Sequence, residues 1–153
     1  MNVPPDRDHD PACPFCRNLS GANPRCAFVS QSDGVSSFVN PRQYRPGAML
    51  VIPNRHVATV FDMTPQEWSA VTVHAQRIAA AACAAFGAPG VNIFQNNGSS
   101  AGQTVSHVHV HVVPRPEGDE GSAIFGEAYF DKAPVAERLA VAARIREHLA
   151  AVP

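Results

Sequence analysis

The stretch Ser106-His107-Val108-His109-Val110-His111-Val112-Val113 decides how the rest of the chain is read. Three histidines alternate with valines, and valine favours strands. Side chains two apart on a strand share a face. His107, His109 and His111 are therefore expected together on one exposed side, while Val108, Val110 and Val112 turn to a core. Imidazoles on an exposed face add little to packing, so the row reads as an active surface. The bland alternative is a chance cluster on a half-buried strand.

Working outward, the histidine strand is expected over Val105–Val113, after a loop of small and polar residues at Asn97–Gly102 and a short strand at Val91–Gln95. Upstream, Phe28–Ser30 and Val35–Asn40 flank the turn signal Ser32-Asp33-Gly34 and read as a hairpin. Pro46-Gly47 is a second turn, followed by the apolar run Met49–Ile52 that Pro53 ends. Thr64-Pro65-Gln66-Glu67 combines a capping box with proline at the first helical position. Trp68, Val71, Ala75, Ile78, Ala79, Ala82 and Phe86 then keep helical spacing, and Gly87 supplies the stop. Val135, Leu139, Ala142, Ile145 and Leu149 form the stripe of a closing helix. Strands, helix, strands and helix joined by tight turns give an α+β fold with an antiparallel sheet.

At 153 residues the chain fits one domain that buries roughly 68–70% of its unfolded surface. The net charge of −1 and a charged fraction of 16% create no field for nucleic acid or an anionic membrane. The apolar run Ala79–Ala85 is far short of a membrane span. Residues 1–11 hold no hydrophobic core of a signal peptide and are expected as a flexible tail, with 12–153 as a single domain. The protein is expected in the cytoplasm, where its four cysteines are thiols or metal ligands rather than a disulfide framework.

The run from Asn96 to Arg115, with Gly102-Gln103-Thr104 ahead of His107-Val108-His109-Val110-His111-Val112-Val113, resembles the signature of the histidine-triad (HIT) nucleotide hydrolases and transferases. That signature is His-φ-His-φ-His-φ-φ preceded by Gly-Gln-Ser/Thr, where φ is apolar. A weaker resemblance extends from Cys13 to about Pro116, and Glu117 onward carries no motif of the family. The resemblance implies a HIT-like α+β fold: an antiparallel sheet of about five strands, a long central helix and a C-terminal helix. It also implies a homodimer joined through the central helix region.

The resemblance assigns chemistry residue by residue. His109 would take the nucleotidyl group, since a neutral imidazole with a pKa near about 6.5 is a competent nucleophile. One ring nitrogen attacks, so the other must be fixed as a donor to a backbone carbonyl or similar acceptor. His111 would bind phosphate oxygens, and His107 completes the catalytic row. Thr104 would deliver or relay a proton to the leaving group. Gln103 and Asn96 would hold phosphate oxygens, while Gly98 and Gly102 let the backbone approach them. Read without the family, Asn96 is a turn residue and Gln103-Thr104 is loop solvation. Asn40 matches the position that binds the ribose hydroxyls, although Asn40-Pro41 is also plain turn chemistry. Phe38 and Leu50 match positions that sandwich the base and read equally as core. Ala48 departs from the family, where many relatives have a histidine.

Cys13-Pro14-Phe15-Cys16 is a possible half of a metal site. The resemblance to a zinc-binding, bacterial-type subgroup completes it with His56, separated from Cys16 by 39 intervening residues, and with His107 after a further 50 intervening residues. A structural zinc on Cys13, Cys16, His56 and His107 would clamp the N-terminal segment onto the sheet. A redox pair and an unmetallated remnant are the competing readings. Cys26 and Cys83 have no partner in this scheme. His9, His74 and His148 read as solvated surface groups, and Arg115 as a surface arginine or a clamp over polyphosphate.

The resemblance thus implies an enzyme that cleaves at the α-phosphate of purine nucleotide conjugates through a nucleotidyl-His109 intermediate. Its substrates would be nucleoside phosphoramidates, dinucleoside polyphosphates or aminoacyl-nucleotide adducts, and the third histidine favours hydrolysis over transfer. One alternative makes the histidine row a zinc centre activating water, which leaves Cys13, Cys16 and Gly-Gln-Thr unexplained. The other is a non-catalytic regulator that binds purine nucleotides.

Overall fold

A computed structural model of the chain describes residues 8–32, 34–120, 123–124 and 131–153. In chain order it contains α1 (Pro14–Leu19), β1 (Phe28–Gln31), β2 (Val35–Val39), β3 (Met49–Pro53), α2 (Pro65–Phe86), β4 (Gly90–Gln95), β5 (Val110–Arg115) and α3 (Val135–Leu149). Short 3₁₀ turns occur at Val60–Asp62 and Ser99–Ala101. The five strands form one sheet in the order β1-β2-β3-β5-β4, with every neighbouring pair antiparallel.

Period-two alternation gives this sheet two unlike faces. Val35, Val39, Met49, Val51, Val110 and Val112 point to one side, where α2 and α3 cover them. Phe38, Leu50 and Ile52 point to the other, where α1 brings Cys13, Phe15 and Cys16 against them. Val108 is fully buried as well. Each buried aliphatic of this kind contributes about 1.5–3 kcal/mol relative to exposure.

The long helix begins as its sequence signals predict. Thr64 Oγ1 accepts from Glu67 N–H at 3.2 Å, Glu67 Oε2 accepts from Thr64 N–H at 2.8 Å, and Pro65 needs no amide partner. It ends at Gly87, whose φ of +62° is left-handed. Its buried face is Val71, Ala75, Ile78, Ala79, Ala81, Ala82 and Ala85, with Trp68 and Phe86 only partly buried. Alanine on this face lets the helix lie close to the sheet and to α3. In α3, Ala142 and Ile145 are buried and Leu149 partly so, but Leu139 is 49% exposed.

Two expectations for the histidine segment are corrected. The strand starts at Val110 rather than Val105, and it runs on to Arg115. Before Val110 the backbone follows a tertiary path: His107 N–H bonds to Val105 O at 2.9 Å and Val108 N–H to Val57 O at 2.7 Å. At the other end, Pro114 lies beyond the part of β5 that β3 pairs, so its missing N–H breaks no bond there. Nor is the histidine face exposed. His107, His109 and His111 are 0%, 4% and 8% exposed, and the ring of Phe15 lies 5.8 Å from His107 and 5.2 Å from His109.

Of the segment expected as a flexible tail, residues 1–7 lie outside the described residues, as does Asp33 of the hairpin turn. Asp8 O accepts from His56 N–H at 2.9 Å, and His9 Nε2 donates to Cys16 O at 3.2 Å. His9 is therefore a half-buried brace rather than a solvated group. His74 is corrected in the same way: its Nε2 lies 2.8 Å from Ser30 Oγ and 3.3 Å from Ser37 Oγ, joining α2 to β1 and β2.

Candidate functional site

The N-terminal segment brings together the four side chains named for a metal. Donor atoms of Cys13, Cys16, His56 and His107 all lie within 4.8 Å of one another. Cys13 Sγ is 3.5 Å from His107 Nδ1, while Cys16 Sγ is 3.4 Å from His56 Nδ1 and 3.7 Å from His107 Nδ1. A tetrahedral zinc with bonds of about 2.3 Å to sulfur and 2.05 Å to nitrogen sets such atoms about 3.6 Å apart. The donors are thus already spaced for that ion. The ring of His107 is fixed as well, because Nε2 donates to Pro53 O at 2.9 Å; a carbonyl accepts only, so Nδ1 is left with its lone pair toward the thiols. Asp10 N–H points at Cys16 Sγ from 3.4 Å. Burial pushes the Cys16 thiol up to about 11 and His107 down to about 4, so burial alone disfavours charge on both.

Two residues on, the ring logic reverses. His109 Nδ1 donates to His107 O at 2.7 Å, which leaves Nε2 unprotonated. The sequence requirement of one fixed donor nitrogen is met by the first residue of the same row. Burial lowers the pKa of His109 against the pull of that hydrogen bond, and lowers His111 to about 3 with help from nearby His109. Both rings are neutral at physiological pH. His111 stacks on Phe94 with centroids 4.4 Å apart and planes 3° from parallel, and it lies 4.9 Å from the His109 ring.

His109 and His111 open onto a cavity of about 240 Å³ whose wall also includes Phe15, Asn40, Leu50 and Thr104. Sheet register explains the assembly: Phe38 of β2 pairs with Leu50 of β3, which pairs with His111 of β5. Asn40 is buried just past the end of β2, with its Oδ1 accepting from Arg42 N–H at 3.0 Å and its own N–H bonding to Ala48 O at 2.9 Å. Leu50 reaches the cavity. Phe38 packs edge-on behind Phe15, at 5.4 Å between centroids, in the apolar cluster beneath it.

The loop between β4 and β5 is held by its own amides. Gln103 Oε1 accepts from Gly98 N–H at 2.7 Å, and its Nε2 donates to Ala58 O at 2.7 Å and Val105 O at 2.9 Å. With both hydrogens engaged, Gln103 shapes the loop rather than reaching into the cavity. Gly102 has a φ of +84°, so the glycine serves backbone conformation; a Cβ there would meet Asn96 Nδ2 at 3.6 Å, an ordinary contact. Arg115 is neither a free surface group nor a clamp: it bonds Asp119 at 2.6 Å and Asn92 Oδ1 at 2.7 Å, with Arg45 on the same carboxylate.

Several cavity residues were not foreseen: Phe15, Val105, Arg42 and Lys132. Phe15 had a signal, since it lies between the two cysteines and must follow them to the sheet. Lys132 had none, because its place depends on Ala133 N–H bonding to Pro41 O at 2.8 Å across the molecule.

Comparison with known proteins agrees with this geometry. The HIT domain matches residues 22–118. An uncharacterised HIT-like protein of Methanocaldococcus jannaschii is 34% identical over 115 residues, covering 75% of this chain and 88% of that one. A bis(5′-adenosyl)-triphosphatase of Dictyostelium discoideum is 39% identical over 83 residues, 54% of this chain and 56% of its own. The adenosine 5′-monophosphoramidase of Schizosaccharomyces pombe is 27% identical over 118 residues, 77% and 85% respectively. Among solved structures, a zinc-bound histidine triad protein from Mycobacterium smegmatis superposes with a TM-score of 0.78 at 33% identity, covering 92% of this chain and 94% of that one. Sheet order, histidine row and matched residues together make this chain a member of the HIT domain family.

Proposed function

We propose that the protein is a nucleotide hydrolase or nucleotidyl transferase that cleaves at the α-phosphate of a purine nucleotide conjugate, with His109 as the nucleophile. One observation carries the reading: Nδ1 of His109 donates to a backbone carbonyl, which leaves Nε2 with its lone pair on a ring that lines the cavity. In the first step Nε2 forms a bond to phosphorus as the bond to the leaving group breaks, and Thr104 at the cavity wall relays a proton to that group. The ring becomes cationic in the nucleotidyl intermediate, and the His107 carbonyl on its Nδ1–H stabilises that charge at a fixed distance. Water then attacks phosphorus as the P–Nε2 bond breaks; the water gives its proton to solvent, and His109 leaves as neutral imidazole. His111 and the loop held by Gln103, with Asn96 and Gly102, would surround the phosphate oxygens; Asn40 would meet the ribose, and Phe15 and Leu50 the base. Relatives named for triphosphatase and phosphoramidase activity support both substrate classes.

A structural zinc on Cys13, Cys16, His56 and His107 belongs to the same reading, supported by the donor spacing and by the zinc-bound relative. Bound there, zinc would supply the charge that makes thiolates of the cysteines, and it would fix the residue whose carbonyl orients His109. We take residues 12–153 as one domain that works as a homodimer in the cytoplasm. No described helix is long and apolar enough to cross a membrane, and its free thiols suit a reducing compartment. The second copy would join at β4, a sheet edge where Ile93 is 48% exposed beside Trp68 and Thr72 of α2.

The test is turnover of adenosine 5′-phosphoramidate and of diadenosine polyphosphates, wild type beside His109→Ala. The wild type should release AMP, and a rapid quench should trap a chain heavier by one adenylyl group. The variant should lose turnover by about a thousandfold or more with its zinc content unchanged. Tight AMP binding without turnover of any substrate would overturn the catalytic reading in favour of a nucleotide-binding regulator.

A further inference from the structure

A second cavity, of about 220 Å³, adjoins the first. Pro14, Thr104 and Val105 line both, so the two meet at the threonine assigned to the leaving group's proton. Beyond that shared wall lie Asp10, Ala12 and Ser106, none of which lines the first cavity. Asp10 is half-buried and is the charged side chain among the described residues of this second lining. Its placement is local: Ala12 N–H bonds to Asp10 Oδ1 at 2.8 Å, and Cys13 N–H bonds to Asp10 O at 3.0 Å. Among the described residues nothing donates to Oδ2, so half of the carboxylate is left for a ligand. A zinc ion on the adjacent cysteines would add no net charge, because two thiolates offset a dication. Asp10 therefore sets the sign of the charge that a group in this cavity meets.

In-line displacement puts the leaving group opposite the attacking Nε2. With the α-phosphate at His109 and the ribose at Asn40, the leaving group extends past Thr104 into the second cavity. A polyphosphate chain there would meet a carboxylate and no described cation, and like charges repel. An aliphatic chain ending in an ammonium suits the lining at both ends: its methylenes lie along Ala12, Pro14 and Val105, and its cation reaches Asp10. Ser106 Oγ is a further acceptor for it. Given the nucleotide-hydrolase reading above, on which this rests, we propose that the second cavity is a leaving-group subsite for chains that carry a cationic amine remote from the bond cleaved, with Asp10 as its specificity residue. The AMP phosphoramidate of an aliphatic diamine is the simplest such substrate, one nitrogen bonded to phosphorus and the other an ammonium. Nε2–P forms as P–N breaks, the departing nitrogen takes the proton relayed by Thr104, and the diamine leaves with its far end unchanged.

The experiment compares kcat/KM for the AMP phosphoramidates of 1,4-diaminobutane and of pentylamine, in which a methyl replaces the terminal ammonium, on the intact protein. The diamine conjugate should be preferred by about tenfold, as expected of one charge-assisted contact to a half-buried carboxylate, and the preference should shrink as salt is raised. In Asp10→Asn, which keeps an acceptor for Ala12 N–H, the ratio should fall to near one while turnover of the pentylamine conjugate stays at the wild-type level. Turnover of diadenosine tetraphosphate should rise in the same variant as the repulsion is removed. Thermal unfolding and zinc content check that the variant is folded. A wild-type ratio near one, or one that salt leaves unchanged, overturns the proposal without any variant, and turnover of the pentylamine conjugate leaves the nucleotide reading standing. A ratio that survives in Asp10→Asn also overturns it, placing the ammonium elsewhere. Absence of AMP release from every substrate sinks both.

Discussion

His107 and His109 sit two residues apart on one backbone, in nearly equal burial, and their rings are locked in opposite tautomers. His107 gives its Nε2–H to Pro53 O and aims Nδ1 at two thiols. His109 gives its Nδ1–H to His107 O, which leaves Nε2 with its lone pair, and its ring lines an open cavity. One side of the segment is closed by α1 and holds four donor atoms at ligand spacing; the other is open enough to admit a ligand. What separates the proposed metal ligand from the proposed nucleophile is which backbone carbonyl takes the other ring proton, not residue type or burial. The two sides are also in series, because the carbonyl that orients His109 belongs to His107.

The hardest test of this division is to damage the closed side alone. Cys16→Ser removes the sulfur that faces both His56 and His107. Zinc measured by atomic absorption should fall well below one per chain, and urea unfolding should show a loss of about 4 kcal/mol or more, as when a structural metal is removed. Turnover should fall too, through loosened placement of His109, but by less than in His109→Ala, which keeps its zinc. A Cys16→Ser protein that retains stoichiometric zinc and the wild-type urea midpoint would end the distinction between the two sides.

How much of this was legible in the sequence depends on how local each feature is. The capping box at Thr64 and the alternation of Val108, Val110 and Val112 are set by neighbours a few residues away, so they can be read directly. The metal set was legible only through resemblance, since nothing in the spacing of Cys16, His56 and His107 makes them meet. Three features were hidden because the cause is tertiary. Val108 N–H pairs with Val57 O, which delays the start of β5. A six-residue helix has too few turns to show periodicity, so α1 went unread, and with it the burial of the histidine face under Phe15. His74 looked solvated because Ser30 and Ser37 reach it from another element.

His74 sharpens the comparison because it is a half-buried histidine outside both the four-donor cluster and the cavity wall. Burial first, and then the charge of Arg77, hold its pKa below the ordinary 6.5. At pH values just under 6.5 the unfolded chain takes a proton that the folded one refuses. Its contribution to stability is therefore intact above that pH and shrinks as pH falls below it. The urea midpoint of the wild type should drop between about pH 7 and pH 5, and that of His74→Gln should drop less steeply. At neutral pH the variant should cost about 1 kcal/mol for the altered serine bonds. Parallel slopes would mean that His74 charges in the fold without penalty.

The smallest effect concerns how the closed side receives His56. Arg55, its neighbour, forms a two-pronged pair with Glu67, Nε to Oε1 at 2.6 Å and Nη2 to Oε2 at 2.9 Å, while Glu67 also caps α2. Arg55, then the Thr64 amide, hold the Glu67 carboxyl down to about 2 from its ordinary 4.5. The depressed value means that this stability is present above about pH 4.5 and is lost as pH falls toward 2. Both side chains are about one-third exposed, at 35% and 28%, so water screens the pair. Glu67→Gln should then cost only about 1 kcal/mol at neutral pH and leave zinc at one per chain with an affinity a few-fold weaker. A larger loss of zinc would mean that His56 depends on this strut rather than on the backbone bond from its N–H to Asp8 O. In that case the closed side would be assembled from the helix cap inward, and not from the N-terminal segment that carries the cysteines.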